Sequence, residues 1–101
     1  MMQNCSVEKA VNLFGEKWKF LILRDLMHGK MRFSELKRNI ETISQKVLTQ
    51  NLRQLEANGL LTRTVYPEVP PKVEYALTEL GYSLKPVIDA IRTWGELYAK
   101  N

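Results

Sequence analysis

Cysteine and histidine are nearly absent: Cys5 and His28 are the single representatives of their types among 101 residues. One thiol excludes an intrachain disulfide framework, and one Cys with one His falls short of the three or four ligands of a usual zinc site. No metal and no cofactor is therefore expected. Long apolar runs are also missing. Nothing approaches the roughly 18 to 20 residues that cross a bilayer, and the first residues lack the basic, apolar, small-residue order of a secretory signal. A cytoplasmic protein with no membrane partner is expected. There is no internal repeat, low-complexity tract or Gly/Ser linker. At 45% apolar and 26% charged residues, the composition suits one small globular domain spanning 1–101. Neither a Gly-rich phosphate loop nor a nucleophile elbow is present, and His28 has no Ser or Cys at a recognisable motif spacing. Nothing here reads as an enzyme.

What is present is positive charge, unevenly placed. The net charge is +4 overall. Residues Met1–Gly29 carry +1 and Val73 onward −1, while Lys30–Lys72 carry +4 through Lys30, Arg32, Lys37, Arg38, Lys46, Arg53, Arg63 and Lys72. A basic excess confined to the middle of the chain suits an anionic partner, although a solvated basic surface gives the same count.

Hydrophobic periodicity orders the elements. Val7, Ala10, Val11 and Phe14 recur at helical spacing and stop at Gly15, predicting a short first helix over about 6–14. Lys17–Met27 is apolar nearly all round and predicts a central helix. After His28 and Gly29 comes a brief extended piece, Met31 and Arg32, then a two-turn helix carrying Phe33, Leu36 and Ile40. Ser44 is placed to cap a fourth helix over about 44–58, which Gly59 ends. Alternation in Leu61–Tyr66 and Val73–Leu77, either side of Pro67-Glu68-Val69-Pro70-Pro71, predicts a hairpin over about 61–77 with a stiff tip. Thr78 is the expected N-cap of a last helix over about 79–100, kinked at Pro86 because that residue cannot donate to Tyr82.

The fourth helix carries the informative pattern. Leu48, Leu52 and Leu55 fall on one side; Lys46, Thr49, Gln50, Arg53 and Ala57 fall on the other, with no aliphatic anchor among them. Two helices joined by a tight connector, the second polar and basic outside and followed by a hairpin, form the pattern of a winged helix-turn-helix. The expected fold is mainly α with a small β-hairpin, an amino-terminal helix and a long carboxy-terminal dimerisation helix. In such a fold the fourth helix enters the major groove of double-stranded DNA, where Arg and Lys suit guanine, Gln suits adenine, and a threonine methyl meets that of thymine. Lys46, Thr49, Gln50 and Arg53 are thus candidate readers. Ser44 and Gln45, at the helix N-terminus, are candidates for phosphate. Arg63 and Lys72 on the hairpin, and Arg32, Lys37 and Arg38 near the third helix, are further phosphate candidates. The competing reading is a winged helix whose polar face meets another protein.

The last helix predicts a partner of the same kind. Leu80, Leu84, Val87, Ile91, Trp94 and Tyr98 are spaced four, three, four, three, four, a heptad seam widened by Ile88 and Leu97. That face, together with Val7, Val11 and Phe14, predicts a homodimer with reader helices one DNA turn apart. A seam folded back on the second helix of the same chain is the alternative.

Cys5–Glu8, Gly15-Glu16-Lys17-Trp18, Arg32-Phe33-Ser34-Glu35-Leu36, Ile43–Thr49, Leu55–Leu60 and Tyr66–Tyr75 form a specific set of motifs. Through them the run from Cys5 through Gly95 resembles the HxlR-type family of bacterial winged helix-turn-helix regulators, relatives of the MarR group. Glu16 and Ser6 stand where a second glycine and a proline are common, and neither lies on the reading face. The resemblance implies homodimeric, sequence-specific DNA binding that regulates transcription, with the fourth helix reading and the hairpin as wing; repression by occluding a promoter is the default mode expected. Members often carry a cysteine matching Cys5, and some respond through it to electrophiles or oxidants. Here Cys5 would begin the first helix, whose dipole favours thiolate, with Lys9 one turn on and Glu8 opposing. A small buried thiol at the dimer interface is the other reading of Cys5.

Overall fold

In the computed structural model, which describes residues 5–13 and 16–100, helix boundaries fall where local chemistry dictates. The first helix, α1, spans Ser6–Leu13; the expected Phe14 and its stop Gly15 lie outside the described residues. Helix α2 (Lys17–Leu26) buries Ile22, Leu23, Asp25 and Leu26. Trp18, Phe20, Leu21 and Met27 are half-buried and pack against the same core, so this helix is covered on most sides, as its sequence predicts. Helices α3 (Phe33–Asn39) and α4 (Gln45–Ala57) form the helix-turn-helix. Ser44 precedes α4 in an extended conformation, and its Oγ accepts from the Val47 N–H at 3.1 Å. The chain leaves α4 through Gly59 at φ +79°, a left-handed conformation that costs glycine little.

The hairpin strands are β2 (Leu61–Tyr66) and β3 (Lys72–Leu77). The extended piece Met31–Arg32 is a third strand, β1, pairing antiparallel with β3, so the sheet order is β1-β3-β2 and β3 is central. A two-residue strand is too short to show alternation, which is why the sequence predicts only a hairpin. The pairing places Arg32 and Thr64 on either side of Glu74 and sets Arg63 opposite Tyr75.

Behind the sheet and α4 lies one core. Ile22, Leu23, Leu26, Leu36, Ile43, Leu48, Leu52, Leu55, Leu61 and Ile88 are each 2% exposed or less. A latch ties the end of α4 to the carboxy-terminal part of the chain. Thr78 Oγ1 donates to the Gly59 carbonyl at 2.7 Å and accepts from the Gly81 N–H at 3.1 Å, and the Thr78 N–H donates to the Leu60 carbonyl at 3.0 Å. Gly81 is buried so closely against the Leu60 carbonyl that a Cβ there would collide with it.

The last helix departs from expectation in two ways. It is two pieces, α5 (Glu79–Tyr82) and α6 (Lys85–Ala99), broken at Ser83–Leu84 rather than kinked. Pro86 falls in the first turn of α6, where its missing N–H leaves no intrahelical bond unmade. Ile88, expected on the outward seam, is instead covered within its own chain at 2% exposure, and Leu84 is half-buried against the same core. The seam had two apolar sides, and the monomer takes one of them.

Candidate nucleic-acid interface

Helix α4 presents to solvent the face the sequence singled out. Lys46, Gln50, Arg53 and Ala57 are exposed and Thr49 is half-buried, whereas Leu48, Leu52 and Leu55 turn into the core. Among the described residues neither Lys46 nor Arg53 has a carboxylate within ion-pairing distance. Ser44 and Gln45 are exposed at the helix start, the Ser44 Oγ being engaged as a cap acceptor. Asn51 is the polar residue that helical periodicity alone does not explain. It is 4% exposed, and its Nδ2 donates to the Val47 carbonyl at 2.8 Å, which keeps it within its own helix.

The sheet register divides the wing's cations. Residues directly opposite share a face and successive residues alternate. Arg63 therefore lies on the face of Val65, Val73 and Tyr75, and Lys72 lies on the other with Tyr66 and Glu74. An open cleft of about 470 Å³ runs between α4 and the first of these faces. Its apolar floor is Phe33, Leu52, Val73 and Tyr75; Gln45, Thr49, Arg53 and Glu56 line it from the helix and Arg63 from the sheet. Arg53 and Arg63 thus address the same space, one from the helix and one from the sheet.

Lys72 does not project freely from the tip. It begins β3, with its Nζ 3.6 Å from Glu74 Oε2 and 4.9 Å from the centre of the Tyr66 ring. Lys30 Nζ lies 3.5 Å from the other carboxylate oxygen, Glu74 Oε1. Burial works to raise the Glu74 pKa, but the Tyr66 hydrogen bond and the charges of Lys30 and Lys72 outweigh it and hold the carboxyl below its ordinary value. In the sequence Lys30 is one more cation of the basic segment, and Glu74 carries no evident role. The spacing of Lys72 and Glu74, two apart on a strand, was the available signal.

Arg32 is exposed, and its backbone N–H donates to Glu35 Oε1 at 2.8 Å, fixing the start of α3. Arg38 is exposed and Lys37 half-buried. Away from these cations, α6 exposes Val87, Ile91, Trp94, Leu97 and Tyr98, the last three each above 60%, and Trp94 stacks on Tyr98 with ring centres 5.2 Å apart. On α1, Val7 and Val11 are exposed. Cys5 is a free, exposed thiol immediately before α1, its carbonyl accepting from the Lys9 N–H at 3.3 Å. Among the described residues no cluster of His, Cys, Asp and Glu could hold a metal, and no helix is long and apolar enough to cross a membrane.

A helix-turn-helix whose second helix has a free polar face, followed by a sheet whose hairpin stands beside it, defines a winged helix-turn-helix of the DNA-binding type. Residues 13–101 match the HxlR-like helix-turn-helix family, and the chain belongs to it. An HTH-type transcriptional regulator of Methanothermobacter thermautotrophicus is 56% identical over 97 residues, covering 96% of this chain and 74% of that one. The solved structure of the HTH-type regulator ytcD is 49% identical with a TM-score of 0.91, over 97% of this chain and all of that chain. The redox regulator HypR in its oxidized form is 46% identical with a TM-score of 0.86, over 91% of this chain and 95% of that one. The chain is a helix-turn-helix transcriptional regulator.

Proposed function

We propose that this regulator acts in the cytoplasm as a homodimeric repressor that occupies a pseudo-palindromic operator. The observation that carries the reading is the solvent-exposed face of α4, with Lys46, Gln50 and Arg53 unencumbered on it. Lys46, Thr49, Gln50 and Arg53 meet base edges in the major groove; Ser44, Gln45, Arg32, Lys37 and Arg63 hold phosphates and set the register. Dimerisation is supported by the apolar face of α6, where Val87, Ile91, Trp94 and Tyr98 lie uncovered, and by Val7 and Val11 of α1. Two copies joined there carry two reader helices to successive major grooves, about 34 to 36 Å apart.

A response to electrophiles or oxidants through Cys5 is the regulatory part of the proposal. It is supported by the exposed free thiol and by the likeness to HypR, which is a redox regulator. One experiment tests both parts: selection of bound fragments from genomic DNA, with and without diamide, on the native chain and on Cys5→Ala. Enrichment of inverted repeats, lost with diamide in the native chain alone, is the expected result. Enrichment of nothing would remove the operator reading, and equal loss in both chains would remove Cys5 as the switch.

A further inference from the structure

The face of the wing turned away from the cleft carries a cluster that the reader helix does not use. Glu74 sits on the central strand, and its side chain is 12% exposed. Its two oxygens are bracketed by Lys30 from the turn before β1 and by Lys72 from the start of β3. Tyr66 faces Lys72 directly across the ladder and stands under its ammonium. Arg32 faces Glu74 across the other ladder, so its side chain leaves on the same face. Three cations therefore share one face with a single carboxylate.

We propose that Glu74 is a positioning residue that holds Lys30 and Lys72 side by side as a second phosphate-binding pair, on the opposite face of the wing from Arg63. This rests on the DNA-binding reading above. The geometry favours holding over neutralising. At 3.5 and 3.6 Å both contacts are ionic rather than close hydrogen bonds, so each ammonium retains N–H donors for a phosphate oxygen. The Lys30 side chain is 64% exposed, with its charge accessible. Two lysines drawn to one carboxylate would otherwise splay apart by repulsion; the largely covered Glu74 carboxylate between them offsets that repulsion and restricts their rotamers before DNA arrives. The Tyr66 ring fixes Lys72 from the side. Glu74 stays ionised despite its burial, as its lowered pKa requires.

The test exploits a difference of sign. Removing a negative charge near DNA ordinarily tightens binding, whereas removing a positioning residue weakens it. Binding of a labelled duplex of about 40 base pairs and arbitrary sequence, followed by fluorescence anisotropy against salt, separates the two. Glu74→Gln is expected to bind about 3- to 10-fold more weakly, with the salt slope smaller by about one. Lys30→Gln alone should lower the slope by about one, and should cost less in the Glu74→Gln background than in the native chain. Glu74→Gln binding as tightly as the native chain, or more tightly, would overturn the proposal. Should that variant melt early, Lys30→Gln decides, since Lys30 is exposed and its loss leaves the fold intact; an unchanged slope overturns the pair. A native chain that ignores duplex altogether would instead remove the DNA-binding reading itself.

Discussion

Arg63 and Lys72, nine positions apart in sequence at either side of the proline tip, leave the sheet on opposite faces: Arg63 with Tyr75 toward α4, Lys72 with Glu74 away from it. The wing is therefore two separate cationic surfaces. Arg63 shares its cleft with Arg53, so a phosphate contact by Arg63 and a base contact by Arg53 are expected to depend on one another. In a double-mutant cycle read by duplex affinity, Arg53→Ala and Arg63→Ala should be coupled by more than about 0.5 kcal/mol. Arg63→Ala and Lys72→Ala should add to within about that amount, each lowering the salt slope by about one.

Gly81 meets the Leu60 carbonyl where the latch at Thr78 joins the end of α4 to α5. Gly81→Ala has to displace backbone, not a flexible side chain. A loss of about 1 to 3 kcal/mol in urea unfolding is expected, an overpacking cost that outweighs the helix propensity alanine adds. Unchanged stability would mean that the latch is looser than it stands here.

Asp89 gives the fold an acid-sensitive contact. The Lys85 hydrogen bond at 2.7 Å, then the charges of Lys85 and Arg92, lower its pKa against the opposing effect of burial. A carboxyl depressed on folding contributes stability above its unfolded pKa and loses it as pH falls through the folded one. Asp89→Asn should therefore lower the thermal midpoint slightly at neutral pH, and the difference should vanish below the ordinary carboxylate range. The shift is expected to be small because the pair is exposed. A difference that persists in acid would point to packing rather than charge.

Ile91 and Trp94 stand uncovered on α6 while Ile88, on the same helix, closes the core. Ile91→Glu is expected to leave the monomer folded and shift sedimentation toward a single chain, because a charge there opposes burial against a second copy. Ile88→Ala should instead cost about 2 to 5 kcal/mol of stability. Loss of folding on Ile91→Glu would contradict this division of the helix.

The contrast between those two residues shows what the sequence could and could not convey. Ser44 and Gly59 mark the reader helix to within a residue because capping and left-handed backbone are local chemistry. The split between Leu48, Leu52, Leu55 and the polar side was legible for the same reason: one apolar stripe has one place to go. On α6 the apolar side is wide, and periodicity cannot say which half faces the chain's own core; the answer depends on where Leu84 and Ile88 meet elements far away in sequence. The extended piece Met31 and Arg32 is legible in the sequence, but two residues show no alternation that would pair it with β3, and the placement of Lys30 and Arg32 around Glu74 depends on that pairing. Pro86 reads as an interior residue of one long helix, but the break at Ser83–Leu84 makes it part of a helix start.

The proposed reading of DNA rests on the exposed side of α4. Its most direct test is the ratio of affinities for a genomically selected fragment and a scrambled duplex, measured for the native chain, Gln50→Ala and Arg53→Ala at one salt concentration. Base reading by these side chains predicts that each variant loses selectivity worth about 1 to 3 kcal/mol, with an unaltered melting temperature. A ratio that both variants preserve would contradict it.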